Sequence, residues 1–342
     1  MRIGVLTGGG DSPGLNAVLR GIARRGEHGY GDEVIGFLDG WVGLIEDRSV
    51  ALDVDRCRGI LPLGGTIIGT SRVQPFAVAD GVERVRATLQ RHGIDALVCI
   101  GGEGTLRATS DMFAQGFAVV GVPKTIDNDI GGTEMSFGFD TAVQIATDAI
   151  DRLHTTAESH HRVMVVEVMG RHAGHIATWA GLAGGATVTL VPEEPFVIDD
   201  ICERIMRRHD AGRFASIVVV AEGAEPAPGT IGLPERSTDE FGHVRLSGIG
   251  NVVAQEIETR TGIETRLTIL GHVQRGGTPT AFDRVISSWF GAAAVDAVHD
   301  GAFGHMVAWQ QSKVVRVPLI DAVRNLKRVS PELLGVRRAF FG

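Results

Sequence analysis

The sequence predicts an α/β protein built from two Rossmann-like, three-layer α/β/α domains whose sheets are mostly parallel. Eight short apolar runs, rich in Val and Ile, alternate along the 342 residues with longer segments of helical periodicity. The runs lack a regular polar face, which is typical of parallel strands covered on both sides. A strand followed by a helix, repeated many times, indicates right-handed crossovers within a parallel sheet.

Each strand is predicted from its length of four to seven residues and its β-branched content. The predicted strands are 2–7, 33–38, 95–101, 117–122, 162–168, 186–191, 216–222 and 265–271. The predicted helices are 13–28, 82–92, 104–113, 140–158, 172–183, 199–209, 249–261 and 279–298. For the first helix we expect Ser12 as the N-cap and Pro13 at the first helical position.

The chain is long enough for two domains, since about 150 residues make a typical one. We expect a first domain over 1–138, a second over 139–300, and a return of the chain to the first domain over about 300–342. The turn-rich segment 223–248 is interpreted as a surface excursion or a small hairpin.

Composition excludes several classes of protein. The 47 glycines have no Gly-X-Y period, and 44% hydrophobic residues are too many for a disordered chain. The formal net charge of -8 argues against a nucleic-acid partner, and no apolar run reaches the 18 residues of a membrane span. The three cysteines form no CxxC motif, and the apolar stretch in MRIGVLTGGGD is too short for a signal peptide. We therefore expect a cytoplasmic protein without a membrane segment.

Glycine-rich loops follow several predicted strands. The loop of Gly8, Gly9 and Gly10 leaves room for backbone to approach a phosphate, but a tight strand–helix turn would need the same glycines. It fits neither GxGxxG nor a P-loop, because Pro13 stands at the third glycine position and GK[ST] is absent. A second loop, 64–72, ends in Arg72, which is suited to bridging phosphates, although this loop alone is more typical of one that carries a solvated arginine.

Acidic side chains follow the next two strands. Glu103, after the glycines of the third loop, suits Mg²⁺, although it also suits the first turn of a helix as a dipole partner. Asp127 and Asp129 lie two residues apart beside Lys124 and Thr125, so that one carboxylate can accept a proton while the other helps to hold a metal. The alternative for this loop is an Asx turn.

The second half of the chain supplies cations and polar groups at strand ends. Together they suit a phosphate monoester, although each arginine alone is typical of an ordinary surface charge. They are Arg162, Arg171, Arg266, His272 and Arg275. Arg162 and Arg266 stand at the starts of their strands, so they cannot easily reach loops at the strand ends within one chain. This placement indicates an oligomer.

The chain resembles the 6-phosphofructokinase family over residues 1 to about 300. The matching segments occur in the family's order: LTGGGDSPGLNAV, GGTIIGTSR, GGEGTL, PKTIDNDI, GFDTA, SHHRVMVVEVMGRHAG, AEG and ETRLTILGHVQRGGTP. PKTIDND, MGR and GHVQRGG are highly specific together, whereas GGEGT alone is not. The resemblance implies the phosphofructokinase fold, Mg²⁺, and transfer of a phosphoryl group from ATP to the C1 hydroxyl of fructose 6-phosphate in glycolysis.

The resemblance also implies roles for individual residues. Asp127 is the expected general base, with Thr125, Lys124, Arg72 and Arg171 as the other catalytic groups. The nucleotide is expected at Gly10, Arg72, Val73, Gly102, Glu103, Gly104 and Thr105, and Mg²⁺ at Glu103 and Asp129. The sugar phosphate is expected at Thr125, Ile126, Asp127, Met169, Gly170, Arg171, Glu222, His272, Val273, Gln274 and Arg275. Arg162 and Arg266 are expected from a neighbouring subunit of a homo-oligomer, for which the family suggests a tetramer.

Two residues bear on the phosphoryl donor. Lys124 is usual in pyrophosphate-dependent members and in actinobacterial-type enzymes of the family, whereas common bacterial ATP enzymes have glycine there. Pyrophosphate users typically carry Asp at the position of Gly104, where it would repel the nucleotide. We therefore favour ATP, with a pyrophosphate-dependent phosphotransferase as the alternative.

Two rival functions also fit the alternation of strands and helices. A Rossmann oxidoreductase lacks support because GxGxxG is absent and Asp127 and Asp129 would have no role in it. A non-catalytic sugar-phosphate sensor would require loss of the base or of the metal position, yet Asp127, Glu103 and Asp129 are all present.

Overall fold

The computed structural model describes residues 1–232 and 248–340, and these residues form two compact units. Unit 1 comprises Met1–Thr141 and Arg275–Lys327, and unit 2 comprises Ala142–Gln274 and Arg328–Gly342. The chain thus returns to unit 1 at 275 rather than near 300, because the helix over 281–299 packs on unit 1. The last residues, after Lys327, rejoin unit 2 rather than unit 1. The expected boundaries for the returning segment are therefore wrong by about 25 residues at its start and 15 at its end.

Eleven strands occur in the described residues. In chain order, β1 to β11 are Arg2–Gly8, Glu33–Phe37, Ser49–Ala51, Ala96–Gly101, Val119–Pro123, Val163–Val168, Val188–Leu190, Ser216–Ala221, Thr265–Ile269, His305–Gln310 and Lys313–Pro318. The same residues contain eleven α-helices. In chain order, α1 to α11 are Leu15–Arg25, Trp41–Glu46, Gly81–Arg91, Glu103–Ala114, Phe139–His160, His175–Ala183, Ile198–Asp210, Ile249–Thr261, Ala281–His299, Leu319–Arg324 and Pro331–Phe340. A π-helix over Gly26–Tyr30 and 3₁₀ turns at Pro75–Ala77 and Gly271–Arg275 complete the set.

Unit 1 contains a seven-stranded sheet in the order β11-β10-β5-β4-β1-β2-β3. Its five central strands run parallel, and the outermost strand on each side, β11 and β3, is antiparallel to its neighbour. The central strands β1, β4 and β5 are almost entirely buried. This burial on both faces explains why their sequences show no alternation of polar and apolar residues.

Helices α1 and α9 of unit 1 pack against each other with glycine at the contact. A Cβ on Gly21 would lie 2.6 Å from the carbonyl oxygen of Ser288, and a Cβ on Gly291 would lie 2.4 Å from that of Val18. Both distances are below van der Waals contact, so the two backbones can approach this closely only without side chains at these positions. The close pair covers one face of the central strands, whose buried core includes Ile3, Val98 and Val122.

Unit 2 contains a four-stranded, wholly parallel sheet in the order β7-β8-β6-β9. Strands β6 and β8 are fully buried, and helices α7 and α8 contribute Ile201, Ile205 and Val253 to the core on one side. The two parallel sheets with helices packed on them confirm the predicted α/β fold class.

All eight predicted strands and all eight predicted helices are present, with ends that differ from the prediction by at most three residues. The expected N-cap of α1 is wrong, because α1 begins at Leu15 with Gly14 as its N-cap. Gly14 has a φ of 104°, a left-handed value that is incompatible with an α-helix, so the helix cannot include Pro13. The Ser12 side chain is instead buried near the carbonyl of Phe137.

Among the described residues, no helix is both long enough and apolar enough to cross a membrane. The three cysteines, Cys57, Cys99 and Cys202, are buried free thiols. Most of the segment 223–248, interpreted from the sequence as a surface excursion, lies outside the described residues.

Asp283, in the first turn of α9, anchors the start of α5 within unit 1. Its fully buried carboxylate accepts hydrogen bonds from the backbone N–H of Gly138 at 2.9 Å and of Thr141 at 2.8 Å. The Thr141 hydroxyl donates a third bond to the same group at 2.5 Å. Burial outweighs these bonds and raises the pKa of the Asp283 carboxyl to about 6.

This raised pKa gives a testable pH dependence of stability. Because the folded chain holds the Asp283 proton more tightly than the unfolded chain, the stability contributed by this proton is present below pH 4 and is lost as the pH rises through about 6. Asp283→Asn cannot titrate and loses acceptor capacity, so we expect it to be less stable than the wild type at pH 4.5, where the wild-type carboxyl is protonated. We expect the difference in Tm between the two proteins to shrink from pH 4.5 to pH 7.5, by the equivalent of about 2 kcal/mol. A difference that is constant or grows with pH contradicts the assignment.

Candidate active site

The carboxyl ends of three neighbouring strands lie level with one another in unit 1. In the parallel ladders, Gly8 of β1 pairs with Gly101 of β4, and Gly101 pairs with Pro123 of β5. The loops that leave these strands therefore emerge side by side at one edge of the sheet, which is where ligands bind in parallel α/β folds. This edge collects the first glycine loop, Glu103, and the loop that carries Asp127.

Glycine is required where the first and third loops meet. A Cβ on Gly8 would lie 2.6 Å from the Thr105 hydroxyl oxygen, and a Cβ on Gly101 would lie 2.3 Å from the Thr105 Cβ. The Thr105 side chain thus fills the space between the two strand ends and is itself buried. Two glycines and one small hydroxyl residue bring the backbones of both loops together.

Lys124 lies beneath the first glycine loop. Its ammonium donates a hydrogen bond to the Gly10 carbonyl at 2.5 Å and lies 3.2 Å from the position that a Cβ on Gly9 would take. The Arg275 guanidinium approaches the same loop, with Nη1 2.8 Å from the corresponding position on Gly10. Two cations therefore border a stretch of backbone that carries no side chain, which is an arrangement suited to phosphate groups.

The electrostatics of Lys124 follow from its burial, since only 4% of the residue is exposed. Burial, assisted by the positive charge of Arg275, lowers the pKa of Lys124 to about 8. Asp127, Asp11 and Asp129 act in the opposite direction and favour the charged form. Lys124 therefore carries its charge at neutral pH and loses it under mildly alkaline conditions.

The loop after β5 folds back on itself around Asp127. The Asp127 backbone N–H donates to the Thr125 hydroxyl at 3.1 Å, and the Ser136 hydroxyl donates to the Thr125 carbonyl at 2.8 Å. Ile126, on one side of Asp127, is buried, and Asp127 itself is 7% exposed. Such a largely desolvated carboxylate, close to Lys124, can accept a proton from a bound hydroxyl group.

Glu103 and Asp129 are the two predicted metal ligands at this edge. Their carboxylates are the hard oxygen donors that Mg²⁺ prefers, and Mg²⁺ typically binds one or two carboxylates together with phosphate oxygens and water. In the part of the chain that the structure describes, no three His, Cys, Asp or Glu side chains cluster as a metal site. Glu103 is half-exposed and paired with Arg107 at 2.5 Å, so one of its oxygens would exchange this partner for a metal. The donor set therefore fits Mg²⁺ shared with phosphate oxygens.

The other predicted nucleotide positions also lie in unit 1. The Gly9 N–H donates to the Ser71 carbonyl at 2.8 Å, which places the neighbouring Arg72 and Val73 beside the first glycine loop. Gly102 caps α4, and Gly104 is exposed in its first turn. The nearest atom to a Cβ on Gly104 would be Nε2 of Gln74, at 3.4 Å. A side chain at position 104 would therefore fit without backbone movement.

In unit 2, Met169, Gly170 and Arg171 follow β6, and Glu222 follows the neighbouring strand β8. Gly170 and Arg171 have φ values of 137° and 50°, so the backbone turns sharply here. The Arg171 N–H donates to the Glu222 carboxylate at 3.1 Å, and a Cβ on Gly223 would lie 1.8 Å from the Arg171 carbonyl oxygen. The structure thus brings the predicted residues of these two strands together.

The short helix after β9 adds three more of the predicted residues to unit 2. His272 and Val273 are exposed, whereas Gln274 is fully buried. The Gln274 amide accepts from the Met169 N–H at 3.4 Å and donates to the Gly271 carbonyl at 3.1 Å. Gln274 therefore ties this turn to the end of β6. Arg275, the next residue, belongs to unit 1, where it contacts Gly10.

Arg162 and Arg266 lie at the opposite edge of the unit 2 sheet. They stand next to the first residues of β6 and β9, where Val163 pairs with Thr265. Arg162 and Met169 flank the two ends of β6, seven residue steps apart, so an extended strand separates them by roughly 23 Å. Both arginines form ion pairs with Glu264, and this contact lowers the pKa of Glu264, mainly through Arg162.

Sequence reasoning missed two ion-pair partners at these sites, one acidic and one basic. Glu264 holds Arg162 and Arg266 in place, and Arg107 holds Glu103. The signal for Arg107 was available, because residues four apart on a helix face each other. Glu264 could have been suspected from its position beside Arg266, but its contact with Arg162 depends on the pairing of β6 with β9.

The comparisons with known proteins agree on one family. The family model described as Phosphofructokinase matches residues 2–298. The chain is 55% identical to the "Pyrophosphate--fructose 6-phosphate 1-phosphotransferase" of Streptomyces coelicolor and 54% identical to the "ATP-dependent 6-phosphofructokinase" of Mycobacterium bovis, in both cases over 100% of each chain. It is also 55% identical to "ATP-dependent 6-phosphofructokinase 3" of Streptomyces coelicolor over 96% of each chain.

Solved structures show the same fold. Phosphofructokinase from Pichia pastoris superimposes with a TM-score of 0.82 at 33% identity over 99% of this chain, which spans 36% of the Pichia chain. The pyrophosphate-dependent phosphofructokinase from Nitrosospira multiformis superimposes with a TM-score of 0.84 over 96% of this chain and 86% of its own. At 20% identity, the second comparison supports the fold alone.

Proposed function

The chain belongs to the phosphofructokinase family, and we propose that it is an ATP-dependent 6-phosphofructokinase that phosphorylates fructose 6-phosphate at its C1 hydroxyl in glycolysis. The observation that carries this proposal is the placement of Asp127 and Lys124 beside the paired glycine loops at the carboxyl edge of unit 1. That edge combines a buried carboxylate, a buried ammonium and bare backbone, which are the parts that phosphoryl transfer to a hydroxyl requires.

Unit 1 binds the nucleotide in this proposal. The glycine loops leave room for the phosphates, and Gly10, Arg72, Val73, Gly102, Gly104 and Thr105 line the donor position. Lys124 and Arg72 offset the charge of the phosphate groups, because catalysis of phosphoryl transfer depends mainly on positioning and charge neutralisation. Mg²⁺, held by Glu103 and Asp129 with phosphate oxygens, supplies further charge neutralisation when bound.

Asp127 acts as the general base. Its carboxylate takes the proton from the C1 hydroxyl of the sugar, and Thr125 holds the loop through the bond to the Asp127 N–H. Proton transfer by a positioned carboxylate contributes about 10²–10⁴-fold to a rate. The ammonium of Lys124 lies near Asp127, and the charge of Asp127 favours the charged form of this lysine. The ionised carboxylate is the form that can accept a proton.

Unit 2 binds the sugar phosphate. Met169, Gly170, Glu222 and His272 contact the sugar, and the guanidinium of Arg171 faces the transferring phosphoryl group. Arg162 and Arg266 bind the 6-phosphate of a neighbouring subunit's substrate, because they lie at the far edge of the sheet from Met169. The proposal therefore includes a homo-oligomer, for which we propose a tetramer, located in the cytoplasm.

ATP is favoured over pyrophosphate by Gly104. Relatives of similar identity carry names with either donor, so overall similarity does not decide between them. Gly104 adds no second negative charge beside Glu103 in the first turn of α4, next to the predicted nucleotide position, and this leaves room for the larger nucleotide donor. Lys124 is compatible with both donors, which keeps the pyrophosphate-dependent phosphotransferase as the second candidate.

The deciding measurement is an assay of fructose 6-phosphate phosphorylation with ATP and with pyrophosphate in parallel. We expect kcat/KM with ATP to exceed that with pyrophosphate. In Gly104→Asp, we expect kcat/KM for ATP to fall at least tenfold, because the added carboxylate repels the nucleotide phosphates. Gly104→Asn is the matched control, with the same size but no charge, and it should retain more ATP activity. Preference of the wild type for pyrophosphate overturns the donor assignment.

The role of Asp127 is tested by Asp127→Asn, which keeps the shape of the side chain and removes its basicity. We expect kcat to fall at least 100-fold while the affinity for fructose 6-phosphate, measured by calorimetry, changes less than about threefold. Turnover equal to that of the wild type would reject Asp127 as the base.

The lowered pKa of Lys124 predicts an alkaline limb in the activity profile. Lys124 is charged below about pH 8 and neutral above it, so kcat/KM for the donor should fall as the pH rises through this value. In Lys124→Met, kcat/KM should be low and flat between pH 7 and pH 9.5. Persistence of the same limb in the Met variant would assign it to another group.

A further inference from the structure

Asn128, between the two acids of the Asp127 loop, holds that loop in shape. Its backbone has a left-handed φ of 53°, which is uncommon for a residue with a side chain. Its amide oxygen accepts from the Ser136 N–H at 2.9 Å, and its amide nitrogen donates to the Glu134 carbonyl at 3.2 Å. Asn128 is 3% exposed, so the geometry on either side of Asp127 depends on a buried polar network.

Lys327 completes this network from a distant part of the chain. Its ammonium donates to the Asn128 amide oxygen, the Thr133 carbonyl and the Glu134 carbonyl, each at 2.9 Å. Its backbone N–H donates to the Asp129 carbonyl at 2.8 Å. These three acceptors match the three hydrogens of the ammonium, and all of them belong to the loop of residues 128–134.

A simple surface lysine would not have this arrangement. Charge-assisted hydrogen bonds are about twice as strong as neutral ones, and the acceptors here are two main-chain carbonyls and the side chain that sets the left-handed turn. Without the ammonium, the partly buried Thr133 carbonyl and the Glu134 carbonyl would each have one donor fewer, and Asn128 would lose a bond on the oxygen that holds Ser136. The loop would then have several alternative shapes of similar energy.

We infer that Lys327 is a positioning residue for the reaction: by clamping residues 128–134 it fixes the orientation of Asp127 towards the sugar hydroxyl. This inference rests on the proposed function. Lys327 acts through the loop rather than on a substrate, because its ammonium hydrogens are directed to the loop. A misplacement of about 1 Å at a catalytic group can cost about 10²-fold in rate, so loss of the clamp should appear in turnover before it appears in binding.

The test compares Lys327→Met, Lys327→Arg and a control, Arg324→Met. Arg324 lies three residues away on the same segment, and its exposed guanidinium is 3.8 Å from Asp321. In Lys327→Met we expect kcat to fall at least 30-fold, with KM for fructose 6-phosphate and for ATP within threefold of the wild type. Lys327→Arg keeps the charge and two or more donors, so it should recover a large part of kcat. Arg324→Met should match the wild type.

Hydrogen exchange provides a readout that does not depend on activity. We expect the amides of residues 128–136, above all Ser136, to exchange at least tenfold faster in Lys327→Met, while amides of β4 and β5 are unchanged. If the wild type phosphorylates fructose 6-phosphate with neither donor, the proposed function fails, and the exchange rates still decide whether Lys327 holds the loop.

Three results would overturn the inference. The first is a Met variant with kcat within threefold of the wild type. The second is a fall in kcat that is accompanied by an equally large fall in the affinity for fructose 6-phosphate and by a lower Tm. This combination would indicate a general structural role. The third is unchanged exchange at residues 128–136. If the Met variant does not fold, the same measurements on Lys327→Arg decide. A lower kcat with unchanged KM and faster amide exchange in the loop supports the inference. Wild-type values of kcat, KM and exchange reject it.

Discussion

The candidate site depends on one constraint: the parallel strands β1, β4 and β5 end at the same level of the sheet. Because Gly8, Gly101 and Pro123 share one register, the residues that follow them must share one small volume. Steric room at that edge is limited, and Thr105 already occupies the space that side chains on Gly8 or Gly101 would need. Bare backbone is therefore what the sheet offers to a ligand here, and this is the surface that a phosphate chain can approach most closely.

The candidate site contains buried positive charges, although the molecule as a whole is negatively charged. The chain has a net charge of -8, yet two ammonium groups, those of Lys124 and Lys327, are drawn inside unit 1 around a loop with two acids. Burial lowers the pKa of both lysines to about 8, and Asp129 favours the charged form of each. Neither cation nor carboxylate would be stable here alone, since an isolated buried charge is strongly disfavoured. The acids and lysines therefore stabilise one another.

The sequence was sufficient to predict the elements that are determined by local residue patterns. Buried strands such as β4 and β5 have unmistakable apolar runs, and the residues at their ends could be assigned to one edge by topology alone. The strands β3, β10 and β11 were missed. The two edge strands give weak signals, because β3 is only three residues long and β11 alternates polar and apolar residues weakly. The partners of Arg162 and Asn128 were missed for another reason. Glu264 and Lys327 lie 102 and 199 residues away along the chain, and no periodicity links them.

The choice of phosphoryl donor is the property that the fold leaves most open. Proteins named for ATP and for pyrophosphate are each about 55% identical to this chain over nearly their whole length, so overall similarity does not separate the two donors. Position 104 shows how the choice can be made at little structural cost. A carboxylate there would find space beside Gln74, and the N-terminus of α4 would stabilise its negative charge through the helix dipole. The same carboxylate would oppose the phosphates of a nucleotide, so one side chain in the first turn of a helix can alter donor preference without disturbing the sheet that positions it.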